Sequence, residues 1–182
     1  MWSGIASRDV FEKHKNFYVF LMEMNLESES SHSEASILYC LGGLNENETS
    51  SSSVSQWSTT NREWKSCPEM STKKHSFGAA LIDKKIYVCG GSNENKRLEL
   101  LEVFDCEKNT WTELAPMQSP RLEIGMTTLN GDIYVAGGVN IARKIFSSVS
   151  KYSPGTNTWT EMKPMNKERN GAELVTLNGT IY

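Results

Sequence analysis

The sequence predicts an all-β fold of repeated four-stranded antiparallel blades, as in a β-propeller. Three observations carry this: landmarks recurring at one period, four short β-type runs in each period, and turn residues between the runs. Glycine pairs stand at Gly42-Gly43, Gly90-Gly91 and Gly137-Gly138, spaced by 48 and 47 residues. Trp64, Trp111 and Trp159 are spaced by 47 and 48. Seven positions before each tryptophan stands Trp57, Phe104 or Tyr152, and six after it Met70, Met117 or Met165. Four beyond each methionine comes Lys74, Arg121 or Arg169, and twelve beyond that Ile86, Ile133 or Ile181, each followed by tyrosine.

Within a period the elements fall in order. In the second repeat, strand a is Gly78 to Ile82, the turn is Asp83-Lys84, and strand b runs from Ile86 to Cys89 into the glycines. In the third, Ile124 to Leu129 leads into Asn130-Gly131, a strong two-residue hairpin signal, and Ile133 to Ala136 returns. Ser147 to Tyr152 makes strand c, Ser153 to Asn157 a turn, and Thr158 to Met162 strand d. Four antiparallel strands per period of this length predict one propeller blade each.

The apolar run ending in a double glycine, the two aromatics with six residues between them, and Pro116-Met117 and Pro164-Met165 together resemble the kelch repeat family. The first repeat departs slightly, with Pro68-Glu69-Met70, and with Trp57 where the others have Phe104 and Tyr152. The likeness covers residues 37–182, divided as 37–70 partial, 74–117 and 121–165 complete, and 169–182 truncated. Counting on from Arg169, the next glycine pair belongs at 185 and 186, beyond Tyr182. The expectation is therefore a kelch-type propeller fragment of about three blades in an open arc, because closed propellers have roughly four to eight.

Residues 1–36 are expected to form a poorly ordered N-terminal extension. They carry three basic and six acidic residues, and Leu26 to Ser36 is too polar to bury anything, so it reads as a solvated linker. Phe17 to Met22 suits a strand or part of a short helix, and periodicity does not choose between them. The first repeat therefore shows strands b, c and d, with strand a open. Lys13, His14 and Lys15 before that apolar run imitate the start of a secretory signal, but Glu23 interrupts it and no small-residue cleavage site follows promptly. A cytoplasmic location is the expectation. No run of about 18 apolar residues exists to span a membrane.

The rest of the chain balances at 16 basic against 16 acidic residues, which gives no concentrated positive field for nucleic acid or anionic lipid. Each repeated landmark also has a structural reading. A glycine pair lets the backbone turn and approach a neighbouring blade. The paired aromatics fill the wedge between twisted sheets. Recurrence of Lys74, Arg121 and Arg169 favours a repeated buried hydrogen bond or ion pair over a ligand site.

Cys40, Cys89 and Cys67 stand where other repeats carry aliphatic residues or methionine, so they read as small buried hydrophobes, and Cys106 falls in a turn; all four are expected unpaired. No Cys-x-x-Cys pair suggests zinc, and no metal or cofactor is expected. His14 and His32 lie in the extension, while His75 takes the place of Leu122 and Asn170 and reads as a neutral surface or core histidine. Copper-oxidase chemistry would need several nitrogen and tyrosine ligands, and glycosidase chemistry two converging carboxylates; Glu123, Asp132 and Glu173 give no sign of convergence. An enzyme is not expected.

The resemblance implies a rigid protein-binding module, such as the substrate-recognition propeller of a cullin-RING ubiquitin ligase adaptor. Actin binding, also found in the family, is the alternative, and an enzyme on such a propeller the least favoured. In a meander a-b-c-d, the b–c loops and the d-to-a links emerge at one end, and the a–b and c–d turns, expected short and similar, at the other. The b–c loops differ in charge: Leu44 to Ser53 carries Glu46 and Glu48, Ser92 to Arg97 is mixed, and Val139 to Lys144 is basic. Variable loops on a rigid repeat are where recognition concentrates. The expected partner-binding residues are Asn45, Glu46, Glu48, Asn93, Glu94, Lys96, Arg97, Asn140, Arg143 and Lys144, with Lys73, Gln118 and Lys167 in the links.

Overall fold

A computed structural model of the chain describes residues 22–26, 35–45, 47–94 and 96–182, and they form strands, turns and loops without a helix. The chain divides into two compact units, residues 1–73 and 74–182.

The first unit holds one four-stranded antiparallel sheet in sequence order: β1 (Met22–Leu26), β2 (Ala35–Leu41), β3 (Val54–Ser58) and β4 (Glu63–Cys67). β1 supplies strand a, with Met22 opposite Tyr39 and Leu26 opposite Ala35. Of the run Phe17 to Met22, Met22 belongs to it, and residues 17–21 lie outside the described residues. The segment read as a linker contributes to the sheet at both ends. Ser36 is buried, donating its amide to Thr59 Oγ1 at 2.9 Å and accepting from that hydroxyl at 3.0 Å. The a–b connection here spans residues 27–34, so these connections are not all short.

The second unit contains two more such sheets. One is β5 (Gly78–Ile82), β6 (Lys85–Cys89), β9 (Leu101–Asp105) and β10 (Thr110–Leu114), with a small hairpin, β7 (Ser92–Asn93) and β8 (Lys96–Arg97), between its second and third strands. The other is β11 (Gly125–Leu129), β12 (Asp132–Ala136), β13 (Val149–Ser153) and β14 (Thr158–Met162). A two-stranded hairpin, β15 (Thr176–Leu177) and β16 (Thr180–Ile181), follows at the place of strands a and b of a further repeat. Strand c of the third repeat starts two residues later than its sequence suggests. Ser147 and Ser148 give their carbonyls to Met165 and Gly137 instead of to a neighbouring strand. The three sheets are blades of a kelch-type β-propeller.

In the second unit the inner strands are covered on both faces, which is why Ile86, Tyr87, Val88 and Cys89 are all buried in succession. Tyr87, Leu101 and Val103 of one blade share a core with Met117, Ile124, Ile133, Val135 and Tyr152 of the link and the next blade. The paired aromatics sit directly opposite across strands c and d, with ring centres 5.1 Å apart for Phe104 and Trp111 and 5.2 Å for Tyr152 and Trp159. Trp159 then donates its indole N–H to Ala115 O at 2.8 Å, while Asn157 Oδ1 accepts from Ala115 N and from the Tyr152 hydroxyl. Both polar groups of one residue in the second repeat are thus held by the third.

The glycine pairs and the repeated basic residues form one device. Gly90 has φ +67°, and a Cβ there would lie 2.6 Å from Arg121 O; its neighbour Gly91 donates to that same carbonyl at 3.0 Å. Gly138 donates likewise to Arg169 O at 2.8 Å. The Arg121 side chain turns to its own blade, donating to Gly137 O at 3.0 Å and Ser148 Oγ at 2.8 Å, with its guanidinium 4.5 Å from the centre of the Phe146 ring. Lys74 is buried against Glu102. Arg169 departs from the expectation, its side chain being exposed. The two acceptors of Arg121 flank the b–c loop of its own repeat, Gly137 following β12 and Ser148 preceding β13.

Candidate functional site

The b–c loops are three variations on one frame. Each begins at the second glycine of a pair, whose carbonyl accepts a closing hydrogen bond: Ser51 N to Gly43 O at 2.9 Å, Leu98 N to Gly91 O at 2.8 Å, and Phe146 N to Gly138 O at 3.0 Å. In the second unit the d-to-a links are stitched to these loops. His75 and Ser92 exchange both backbone hydrogen bonds at 2.9 Å, and Leu122 and Val139 do the same at 3.1 and 3.0 Å. Links and b–c loops therefore share one end of each blade. The far end carries short turns, Asp83-Lys84 and Asn130-Gly131, with Lys84 paired to Glu107 at 2.8 Å and Lys108 3.6 Å from Asp105.

Inside the frame, the loops divide into residues that build and residues that present. Asn45 Oδ1 accepts from the amides of Asn47 and Thr49, both at 3.0 Å, and Asn140 Oδ1 accepts from Lys144 N at 3.0 Å. Both asparagines lie two residues past the glycine pair, half-buried, and their side-chain oxygens serve the loop itself. Asn93, the counterpart in the second repeat, pairs with Lys96 in the hairpin, and Ser92 Oγ donates to Lys96 O at 2.8 Å. Arg97 is half-buried, its Nη1 donating to Ser92 Oγ at 2.8 Å.

The presenting residues are Glu48, Glu94 and Arg143. All three are exposed and hold φ of 58°, 42° and 59°, a left-handed conformation that side chains adopt at a cost. Lys96 and Lys144 are exposed beside them, and Lys73, Gln118 and Lys167 are exposed in the links. Glu46 lies outside the described residues. Asn45, Glu48 and Lys73 belong to the first unit, the others to the second.

One residue at this end escaped sequence reasoning. Ile141 is 70% exposed at a loop tip, and its only signal was position, an aliphatic inside the turn that Asn140 anchors. His75 stands beside Ser76, Arg97 and Glu123. Burial and the nearby Arg97 charge lower its pKa, against Glu123, which raises it. Glu123 also accepts from Asn170 Nδ2 at 2.8 Å, and its backbone joins a relay in which Glu123 N donates to Ser76 O and Gly171 N to Glu123 O. Among the described residues no group of three or more His, Cys, Asp or Glu side chains is placed to hold a metal ion. Among the described residues no helix is long and apolar enough to cross a membrane.

Comparison with known proteins agrees with this architecture. The family model for the KLHDC2/KLHL20/DRC7 Kelch-repeats domain matches residues 23–182, so it takes in β1 as well. Kelch-like protein 41a of Danio rerio is 29% identical over 120 residues, 66% of this chain and 20% of that protein. Kelch-like protein 23 of Homo sapiens is 29% identical over 102 residues, 56% of this chain and 17% of the relative. Influenza virus NS1A-binding protein homolog B of Danio rerio is 39% identical over 67 residues, 37% of this chain and 10% of that protein. The chain thus spans a fifth or less of the length of these curated relatives. With the family model covering all but the first residues and the blades built as its repeats require, the chain belongs to the kelch-repeat family.

Proposed function

We propose that this chain is a non-enzymatic protein-binding module that recognises its partner through the b–c loops and d-to-a links. The observation that carries this is the shared loop frame. Three loops close with the same hydrogen bond, yet carry tips of different charge, each with one charged residue in a left-handed conformation. A fixed frame keeps the ordering cost of binding low, and variable tips supply the specificity. The relatives include one named for what it binds, a viral protein. Several others are Kelch-like proteins, whose family commonly serves as the substrate-recognition part of cullin-RING ubiquitin ligase adaptors, and we assign this chain that role in the cytoplasm.

The test is capture of cytosolic proteins on the immobilised full chain, quantified by mass spectrometry. The wild type is compared with R143E/K144E and with Lys108→Glu at the far end. Partners lost with the first variant and kept with the second support the reading, and a substrate that accumulates when cullin activity is blocked supports the ligase role. Equal capture by wild type and R143E/K144E, with loss on Lys108→Glu, overturns it. Actin as the captured species, co-sedimenting with filaments, replaces the ligase role by a cytoskeletal one.

A further inference from the structure

Residues 138–146 form the b–c loop of the third repeat, and what they expose defines the chemistry of a complement. The loop is built before any partner arrives. Asn140 N donates to Lys144 O at 3.1 Å, Arg143 N to Asn140 O at 3.0 Å, and Lys144 N to Asn140 Oδ1 at 3.0 Å, all inside the closing bond from Phe146 N to Gly138 O. On this scaffold Ile141 stands 70% exposed. Arg143 is held exposed at φ 59° and Lys144 projects beside it, its Nζ 5.4 Å from the centre of the Phe146 ring.

Some cations elsewhere in this unit are held in ion pairs. Lys84 meets Glu107 at 2.8 Å, Lys151 meets Asp132 at 2.9 Å, and Lys108 lies 3.6 Å from Asp105. None of the ion pairs formed among the described residues engages Arg143 or Lys144. The loop therefore offers an apolar side chain and two cations outside these ion pairs on a rigid tip, with strain at Arg143 maintained by its neighbours.

We propose, on the protein-binding reading above, that this loop receives an acidic segment of a protein partner that also carries an apolar side chain. Carboxylates would meet the Arg143 guanidinium and the Lys144 ammonium, and the apolar side chain would cover Ile141. The guanidinium can take a carboxylate in two-pronged fashion, whereas lysine contributes a point charge. A polyanion such as nucleic acid is a poorer fit, because the body of the chain is balanced in charge and Ile141 has nothing to gain from phosphates.

The test is fluorescence anisotropy on the full chain with three short labelled peptides: glutamate-rich around a central leucine, the same with glycine for leucine, and lysine-rich around leucine. Single-stranded DNA serves as competitor. The glutamate–leucine peptide should bind about tenfold more tightly than the lysine peptide and about threefold more tightly than the glycine one, with the preference shrinking as salt rises. R143E/K144E should abolish the charge preference, Ile141→Ser should remove only the leucine increment, and Lys108→Glu should change neither. Each altered residue is exposed, and unchanged thermal melting identifies variants that retain the fold.

Absence of a preference for the acidic peptide, its survival in R143E/K144E, or displacement by single-stranded DNA at equal charge overturns the inference. Failure here together with loss of captured partners in R143E/K144E would leave the protein-binding reading standing and remove only the partner chemistry. Captured partners indifferent to that variant would remove both.

Discussion

Lys74 Nζ lies 2.6 Å from Glu102 Oε1, and neither side chain is reached by solvent. At these two positions the third repeat carries Arg121 and Ser150, and Arg121 donates from Nη1 to Gly137 O and Ser148 Oγ and forms no ion pair among the described residues. The shorter lysine does not make those two bonds here, and the glutamate compensates its charge instead. Removing one partner strands the other charge in the interior, so Glu102→Leu alone should cost about 3–5 kcal/mol. Replacing both, Lys74→Met with Glu102→Leu, should restore most of that loss, because desolvating the pair consumes much of its attraction. Urea unfolding of the two variants checks this, and equal destabilisation of single and double variants would count against it.

The glycine pair is tested by its first member. An alanine at Gly90 must adopt φ +67° and place its Cβ 2.6 Å from the Arg121 carbonyl, which is backbone that Gly91 is already holding. Left-handed strain and displacement of a docked link together should cost about 2–4 kcal/mol. Gly155 meets nothing within 4 Å, so Gly155→Ala should leave the unfolding midpoint nearly unchanged. Similar midpoints for the two variants would remove the close-approach explanation.

His75 gives a pH dependence whose direction follows from its surroundings. Burial and Arg97 lower its pKa in the folded state below 6.5. The unfolded chain therefore takes up a proton first as pH falls, and stability drops from the unfolded pKa down to the folded one, where the loss levels off. Above the unfolded value this residue has no effect. His75→Asn, which installs the residue found at position 170, should flatten the part of the stability profile between about pH 7 and 5 that His75 causes. An unchanged difference between those two pH values would show that His75 is indifferent to its neighbours.

The cysteines separate by burial. Desolvation pushes the Cys40 thiol to about 11 and that of Cys89 to about 12, whereas Cys67 and Cys106 are half-buried, so Cys67 is less enclosed than its register suggests. Its outer strand β4 is shielded on one side only. In native buffer a thiol reagent should modify Cys67 and Cys106 first, and under denaturing, non-reducing conditions all four should titrate. Fewer than four on denaturation would reveal a disulfide, and rapid native labelling of Cys89 would deny its burial.

Much of this fold was legible because its landmarks are backbone requirements repeated at a fixed period. Gly90 and Gly137 each turn at positive φ, Asn130-Gly131 dictates a tight hairpin, and Trp111 and Trp159 mark strand d wherever they stand. β1 was illegible for the opposite reason. The eight-residue connection 27–34 breaks the a–b spacing that identified strand a elsewhere, so Met22–Leu26 carries no landmark at the right distance. At the loop end, the variable charges were visible in sequence, but the division of labour within a loop was not. Asn45 and Asn140 look as available as Arg143 until their oxygens are found on loop amides, and Ile141 reads as an ordinary aliphatic until its exposure is known.

One position distinguishes the repeats most sharply, two residues before each tryptophan of strand d. Asn109 and Asn157 hold φ of 56° and 55° there, and Arg62 holds 54° in the first repeat. Asparagine tolerates this conformation better than arginine, since its short side chain bonds locally. In the third repeat it does more, because Asn157 Oδ1 accepts both Ala115 N and the hydroxyl of the buried Tyr152 at 2.8 Å. Arg62→Asn should therefore stabilise the first unit slightly, by about half a kcal/mol of relieved backbone strain. Asn157→Arg should cost about 2 kcal/mol, since it adds the same strain and removes the acceptor of two hydrogen bonds, one from a buried hydroxyl. For a chain of this size that is a fall of about 4–8 °C in midpoint. Scanning calorimetry reads both changes, and an Asn157→Arg variant no less stable than wild type would mean that the tie from Asn157 to Ala115 contributes nothing to docking these blades.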